Sequence, residues 1–174
     1  LEFRRVLFRS ERAYAAALGD WLTGRPSGAV ARLEGVLAEH PADPLAMKLD
    51  HAIRFVLGDR RGMERMMRAV APAHGADHPH AGFAQGCLAF ALEENGRYAE
   101  AERAGRAGLE LAGDDAWGLH AVAHVHDMQG RPADGIAWLT TQKDRWAHCN
   151  NFGYHVWWHL GLFHLDRGEY DRVL

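Results

Sequence analysis

What this 174-residue sequence lacks narrows its function more than its average composition does. Cysteine is scarce: Cys87 and Cys149 are the only two, too few for a disulfide framework, and both read as reduced thiols on or beside helices. There is no basic surplus, since Lys and Arg number 20 against 23 Asp and Glu. A chain of that balance is a poor partner for a phosphate backbone, so no nucleic acid is expected. Long apolar runs are missing as well. Gln85, His159 or His164 break them well short of the roughly eighteen residues a membrane span needs, and no charged start leads into an apolar signal core. No membrane partner and a cytoplasmic location follow as expectations. Strand-like alternation, a phosphate loop, a glycine-rich nucleotide fingerprint and a nucleophile elbow are all absent, which leaves the enzyme classes built on them unsupported.

What is present is a repeat. Gly24, Gly58, Gly96, Gly130 and Gly168 stand 34, 38, 34 and 38 residues apart, and helical signals fill the space between them. In residues 24–44, GRPSGAVARLEGVLAEHPADP, the side chains Ala29, Leu33, Val36 and Leu37 form one helical stripe that stops at Pro41. Asp43 then caps a helix opening on Pro44. The same reading predicts helices over 11–22, 27–39, 45–57, 60–71, 80–94, 98–111, 116–128, 132–142 and 152–166, with a tenth starting at Tyr170. Each glycine is then the turn between a helix A and a helix B. Two residues after each glycine come Pro26, Arg60, Tyr98, Pro132 and Tyr170. The prolines start helix B, and the tyrosines are expected to pack back on helix A. The implied fold class is all-α, an α-solenoid of antiparallel helix pairs.

Trp157, Leu160, Gly161, His164, Gly168 and Tyr170 resemble the tetratricopeptide signature, W-x2-L-G-x2-Y with a downstream G-x-Y, with histidine where the tyrosine of the first element usually falls. Two longer strings, HAVAHVHDMQGRPADGIAWL (120–139) and CNNFGYHVWWHLGLFHLDRGEYDRVL (149–174), are similar to the tetratricopeptide repeat protein 38 family, and FALEENGRYAEAE (90–102) fits as well. The resemblance runs from about Pro44 onward, with Asp127 standing where the family is expected to carry glutamate. It implies an intracellular protein with a tetratricopeptide-like superhelix, and the family has no settled catalytic activity to carry over. Residues 1–10, LEFRRVLFRS, match the conceptual translation of a common short-read sequencing adapter and are set apart from the domain, which is expected to span 11–174. The rival reading of those ten is a basic amphipathic arm. The chain stops inside a helix that relatives continue, so a fifth repeat truncated at the C-terminus is expected to leave Trp157, Leu160 or their neighbours exposed.

In tetratricopeptide arrays the A helices line a concave groove. The corresponding positions are Phe83, Gly86, Phe90 and Glu93 in repeat three, Trp117, His120, His124 and Asp127 in repeat four, and His155, Trp158, Leu162 and Leu165 in repeat five. A binding scaffold for a protein, a peptide or a small ligand is therefore expected, contacting it through Phe83, Phe90, Trp117, His120, His124, Asp127, His155 and Trp158. His120, His124 and Asp127 project from one helical face, and His155 and His159 repeat the four-residue spacing. If the two helices adjoin, four imidazoles and a carboxylate converge, and His120, His124, His155 and His159 become candidate ligands for zinc or another divalent transition metal. A metal-dependent or other enzyme is the alternative function. Against it, neither pair has the H-E-x-x-H form, and histidines among tryptophans also serve as buried groups bonded to carbonyls or to Asp127. No catalytic residue is assigned. Asp50 with His51, and His164 with Asp166, read as packing or surface. Asn150 and Asn151 read as a helix cap, Arg131 and Arg145 as solvated charges or an anion fork, and His74, His78 and His80 as surface histidines of a loop.

Overall fold

The computed structural model describes the backbone of residues 2–173 and the side chains of residues 10–173. Among the described residues there are nine α-helices and no strand: α1 (Glu2–Leu22), α2 (Pro26–Glu39), α3 (Pro44–Leu57), α4 (Arg60–Val70), α5 (Ala81–Glu93), α6 (Tyr98–Leu111), α7 (Ala116–Met128), α8 (Pro132–Thr141) and α9 (Asn151–Asp166). Short 3-10 turns follow at Ala71–Ala73, Lys143–Arg145 and Tyr170–Arg172. The architecture is the expected all-α repeat of helical hairpins, of the solenoid class. Helix α1 begins well before the expected residue 11, because no proline or glycine interrupts the chain ahead of Gly19. The expected tenth helix is only the 3-10 turn at Tyr170–Arg172.

The five repeat glycines all adopt the left-handed conformation, with φ between +64° and +73°, and no other described residue has a positive φ. A side chain is strained there, so glycine ends helix A and lets the chain reverse into helix B. Proline opens α2, α3 and α8 at the first turn, where a missing N–H costs nothing. Asp43 caps α3 by accepting from the backbone N–H groups of Leu45 and Ala46, both at 3.0 Å.

The chain forms two compact units, residues 1–78 and 79–174. In the first, α1 packs on α2, α2 on α3 and α3 on α4 around Leu33, Met63 and Met67. It also holds a buried polar cluster. The Arg54 guanidinium donates to Asp50 at 2.6 Å, to Asp59 and to Glu34. Burial pushes the Asp50 carboxyl up to about 6, against the opposing pull of Arg54 and with the charges of Glu34 and Asp59 adding to the rise. Asp50 and His51 are thus both core groups. His74 departs from its expected surface place: the 3-10 turn folds it inward, where its Nδ1 lies 3.1 Å from the Val70 carbonyl oxygen.

In the second unit α5, α6 and α7 meet through glycine. A Cβ on Gly82 would stand 2.6 Å from the Gly108 carbonyl oxygen, and one on Gly118 would stand 2.8 Å from the Gly86 Cα. Glycine inside α6 costs about 1 kcal/mol relative to alanine, and here that cost is offset by backbone packed directly against backbone. Helix α8 packs on α9, with Trp146 fully buried beside them, its indole N–H donating to the Leu139 carbonyl at 2.9 Å. Of the tyrosines expected to pack inward, Tyr98 does so against Leu92 and Val125, while Tyr170 is 66% exposed because only a 3-10 turn follows Gly168. Leu160 is buried and Trp157 is 41% exposed, its ring edge-on to Trp146 at 5.0 Å. Arg131 is ion-paired on the protein: it donates to Glu102 at 2.7 Å.

Candidate functional site

Helix α9 buries the apolar stripe Val156, Leu160 and Phe163 in one core cluster with Leu119 and Ala123 of α7, a helix that is also buried on its other faces at Ala121, Val122 and Val125. With those residues packed, the four-residue histidine pairs of the two helices face each other. His120 Nε2 approaches His155 Nε2 at 2.9 Å and His159 Nε2 at 3.1 Å. His159 Nε2 also lies 3.1 Å from the Nε2 atoms of His124 and of His155. Four imidazoles from two helices therefore meet through the same ring atom, and together they form a group able to hold a metal ion.

Burial is graded across the group. His120 and His159 are 2% and 4% exposed, His124 is half-buried, and His155 is exposed. Burial first, then the charges of His124 and His155, push the His159 imidazole down to about 3, so it is neutral near pH 7. Burial and His124 lower His155 in the same way. Aromatic rings wall the group: Phe90 lies 4.6 Å from Trp117 and nearly parallel to His120, Phe152 is 5.2 Å from His120, and His155 stacks on Trp158 at 5.6 Å. Trp158 itself is 56% exposed.

The carboxylate bonded to the histidines differs from the one expected. Glu93, buried at the end of α5, has its Oε2 3.3 Å from His124 Nδ1. Asp127 stays one turn further along α7, half-buried, and its carboxyl is raised above the ordinary value by burial first and then by the charge of Asp166. Phe83 is half-buried, its ring 6.1 Å from that of His80. Asn150 occupies the N-cap position of α9 without a side-chain capping bond. Phe152 was missed by the sequence reading, although its place three residues before His155 puts both on one helical face. His126 was also missed as a core group: it is 1% exposed, and burial lowers its basicity.

No family model matches the chain. Solved structures do. Nearly identical TPR-like repeats from Podosopora anserina align over 95% of this chain and 90% of their own, at 15% identity and a TM-score of 0.71. A thermophilic TPR protein of Thermus thermophilus covers 94% of this chain and 86% of its own, at 15% identity and 0.67. MamA from Desulfovibrio magneticus RS-1 covers 95% and 89%, at 16% identity and 0.66. These likenesses define the class as a tetratricopeptide-like helical-repeat fold. At such identities they speak to the fold alone.

Proposed function

We propose that the chain is a cytoplasmic interaction scaffold of the tetratricopeptide repeat protein 38 kind, and that unit 79–174 recognises a peptide segment carrying a basic side chain. The observation that carries the ligand class is an acidic rim. Glu93, Asp127 and Asp166 occupy the last turns of α5, α7 and α9, where the helix dipole disfavours negative charge. Asp127 is raised by its neighbours' charges in addition to its burial, so an arriving cation relieves an existing repulsion. Beside the rim, the exposed faces of Trp158 and His155 offer ring surface for the aliphatic stem of lysine or the plane of arginine. Among the described residues no helix is long and apolar enough to cross a membrane. Tetratricopeptide-like folds generally mediate protein interactions, which supports the scaffold part of the reading.

A randomised peptide display selection on the immobilised chain tests it. Enrichment of Lys- or Arg-bearing peptides is the expected outcome, with Trp158→Ala and Asp127→Asn each weakening the selected peptide about tenfold or more, and Phe83→Ala leaving it unchanged. Enrichment of acidic peptides, or equal binding by the Trp158 variant, overturns the assignment. The four histidines are also where a divalent transition-metal ion fits. That second reading has a geometric basis of its own.

A further inference from the structure

We infer that His120, His124, His155 and His159 form a four-nitrogen site for a divalent transition-metal ion, with Glu93 as the outer carboxylate that orients one ligand.

The first reason is a count of protons. A neutral imidazole Nε2 has a single in-plane direction, occupied by either an N–H or a lone pair. Four such atoms can pair into no more than two hydrogen bonds. The structure places four approaches of 2.9 to 3.1 Å among them. Three of these close a triangle between His120, His155 and His159, which no assignment of N–H and lone pair satisfies. Whatever the tautomers, like ends are left facing each other in a largely buried place, and one cation accepting all four lone pairs removes the conflict.

The second reason is fit. Zn–N bonds of about 2.0 to 2.1 Å in tetrahedral geometry set ligand nitrogens about 3.3 Å apart. Four of the six separations fall just inside that spacing, within roughly the tolerance of a designed site, and all the ligand atoms lie within 4.8 Å of one another. Both pairs have the four-residue helical spacing, and each helix is anchored by buried apolar side chains. The ligands are therefore held by backbone that the core already fixes.

Glu93 is an independent observation. It is a carboxylate only 5% exposed, on a third helix, and its oxygen lies against His124 Nδ1. An Nδ1–H donated to Glu93 leaves the His124 Nε2 lone pair on the side of His159 Nε2, 3.1 Å away, the arrangement that outer carboxylates impose on ligating histidines. Four neutral nitrogen donors select zinc, cobalt, nickel or copper over magnesium or calcium, which require oxygen. Three rim carboxylates outweigh the charge of one dication, so the metal and a basic peptide are compatible, and neither depends on the other.

The test uses tag-free protein of the full chain, stripped with chelator and dialysed. Titration with Co²⁺ is expected to saturate at one ion per chain with the visible absorption of tetrahedral coordination, and Zn²⁺ is expected to displace it and to raise the melting temperature. Mg²⁺ and Ca²⁺ are expected to do neither. His120→Leu/His159→Leu and His124→Ala/His155→Ala remove the buried and the accessible ligand pairs separately, and each is expected to lower affinity at least 100-fold. Glu93→Gln lowers it about 10- to 100-fold while keeping the tetrahedral spectrum. Octahedral cobalt spectra, equal stabilisation by Mg²⁺, or zinc binding that persists in a folded pair variant overturns the site. An unchanged affinity in Glu93→Gln, with the site otherwise intact, overturns the role of Glu93.

Discussion

Around Arg54 in the first unit, one guanidinium meets three carboxylates, each accepting from a different nitrogen. Around His120 in the second, four identical rings meet through identical atoms. Both clusters have a buried heart, Asp50 and Arg54 in one and His120 and His159 in the other, with more exposed partners around it, and both include pairs at four-residue spacing. The first is assembled from complementary groups, each guanidinium nitrogen of Arg54 meeting a carboxylate oxygen of opposite charge. The second is assembled from equivalent groups that cannot all satisfy one another. A buried polar cluster thus signals a ligand when its members are alike and signals structure when they are opposite.

The contrast breaks most visibly by mutation. Arg54→Ala leaves Asp50 buried without its partner and is expected to cost about 3–5 kcal/mol, measured by chemical denaturation. A loss below about 1 kcal/mol would show that the ion cluster is not what completes the first unit. Titration gives the next largest effect. Asp50 has a folded pKa of about 6 against an ordinary value of 3.8, so between those values the folded state holds a proton that the unfolded chain has released. Its contribution is full below about 3.8 and is lost as pH rises through 6, by up to about 3 kcal/mol. Asp50→Asn removes that pH dependence from the stability curve, and an unaltered curve contradicts it. The smallest effect is expected at the histidines. In chelator-treated protein, His120→Leu/His159→Leu changes stability by no more than about 1 kcal/mol, since it removes groups that cannot all satisfy one another. A loss of about 3 kcal/mol would put the two clusters in one class.

Much of this was legible in the sequence, for reasons tied to distance along the chain. The five turn glycines, the proline helix starts and the Asp43 cap are local signals, and apart from the start of α1 and the C-terminal turn, helix ends fall within one residue of expectation. The two histidine pairs were legible because four residues make about one turn. Which carboxylate joins them was not: Glu93 and Asp127 both hold groove positions, and only packing of α5 against α7 decides between them. The Arg54 cluster was hidden because Glu34 reaches it from another helix, twenty residues away. His74 and Tyr170 were misplaced since each depends on a 3-10 turn that periodicity does not encode.

The glycine seam among α5, α6 and α7 also sets which half of the histidine cluster is able to breathe. Backbone there lies against backbone at Gly82 and Gly108 and at Gly86 and Gly118, with Asp115 and Val122 filling what space remains, so little room is left to slide. Helix α9 rests instead on α8 and on larger interlocking side chains such as Phe163. Amide protons of α7 are therefore expected to exchange with deuterium more slowly than those of α9, which makes His155 and His159 the half of the cluster on the less protected helix.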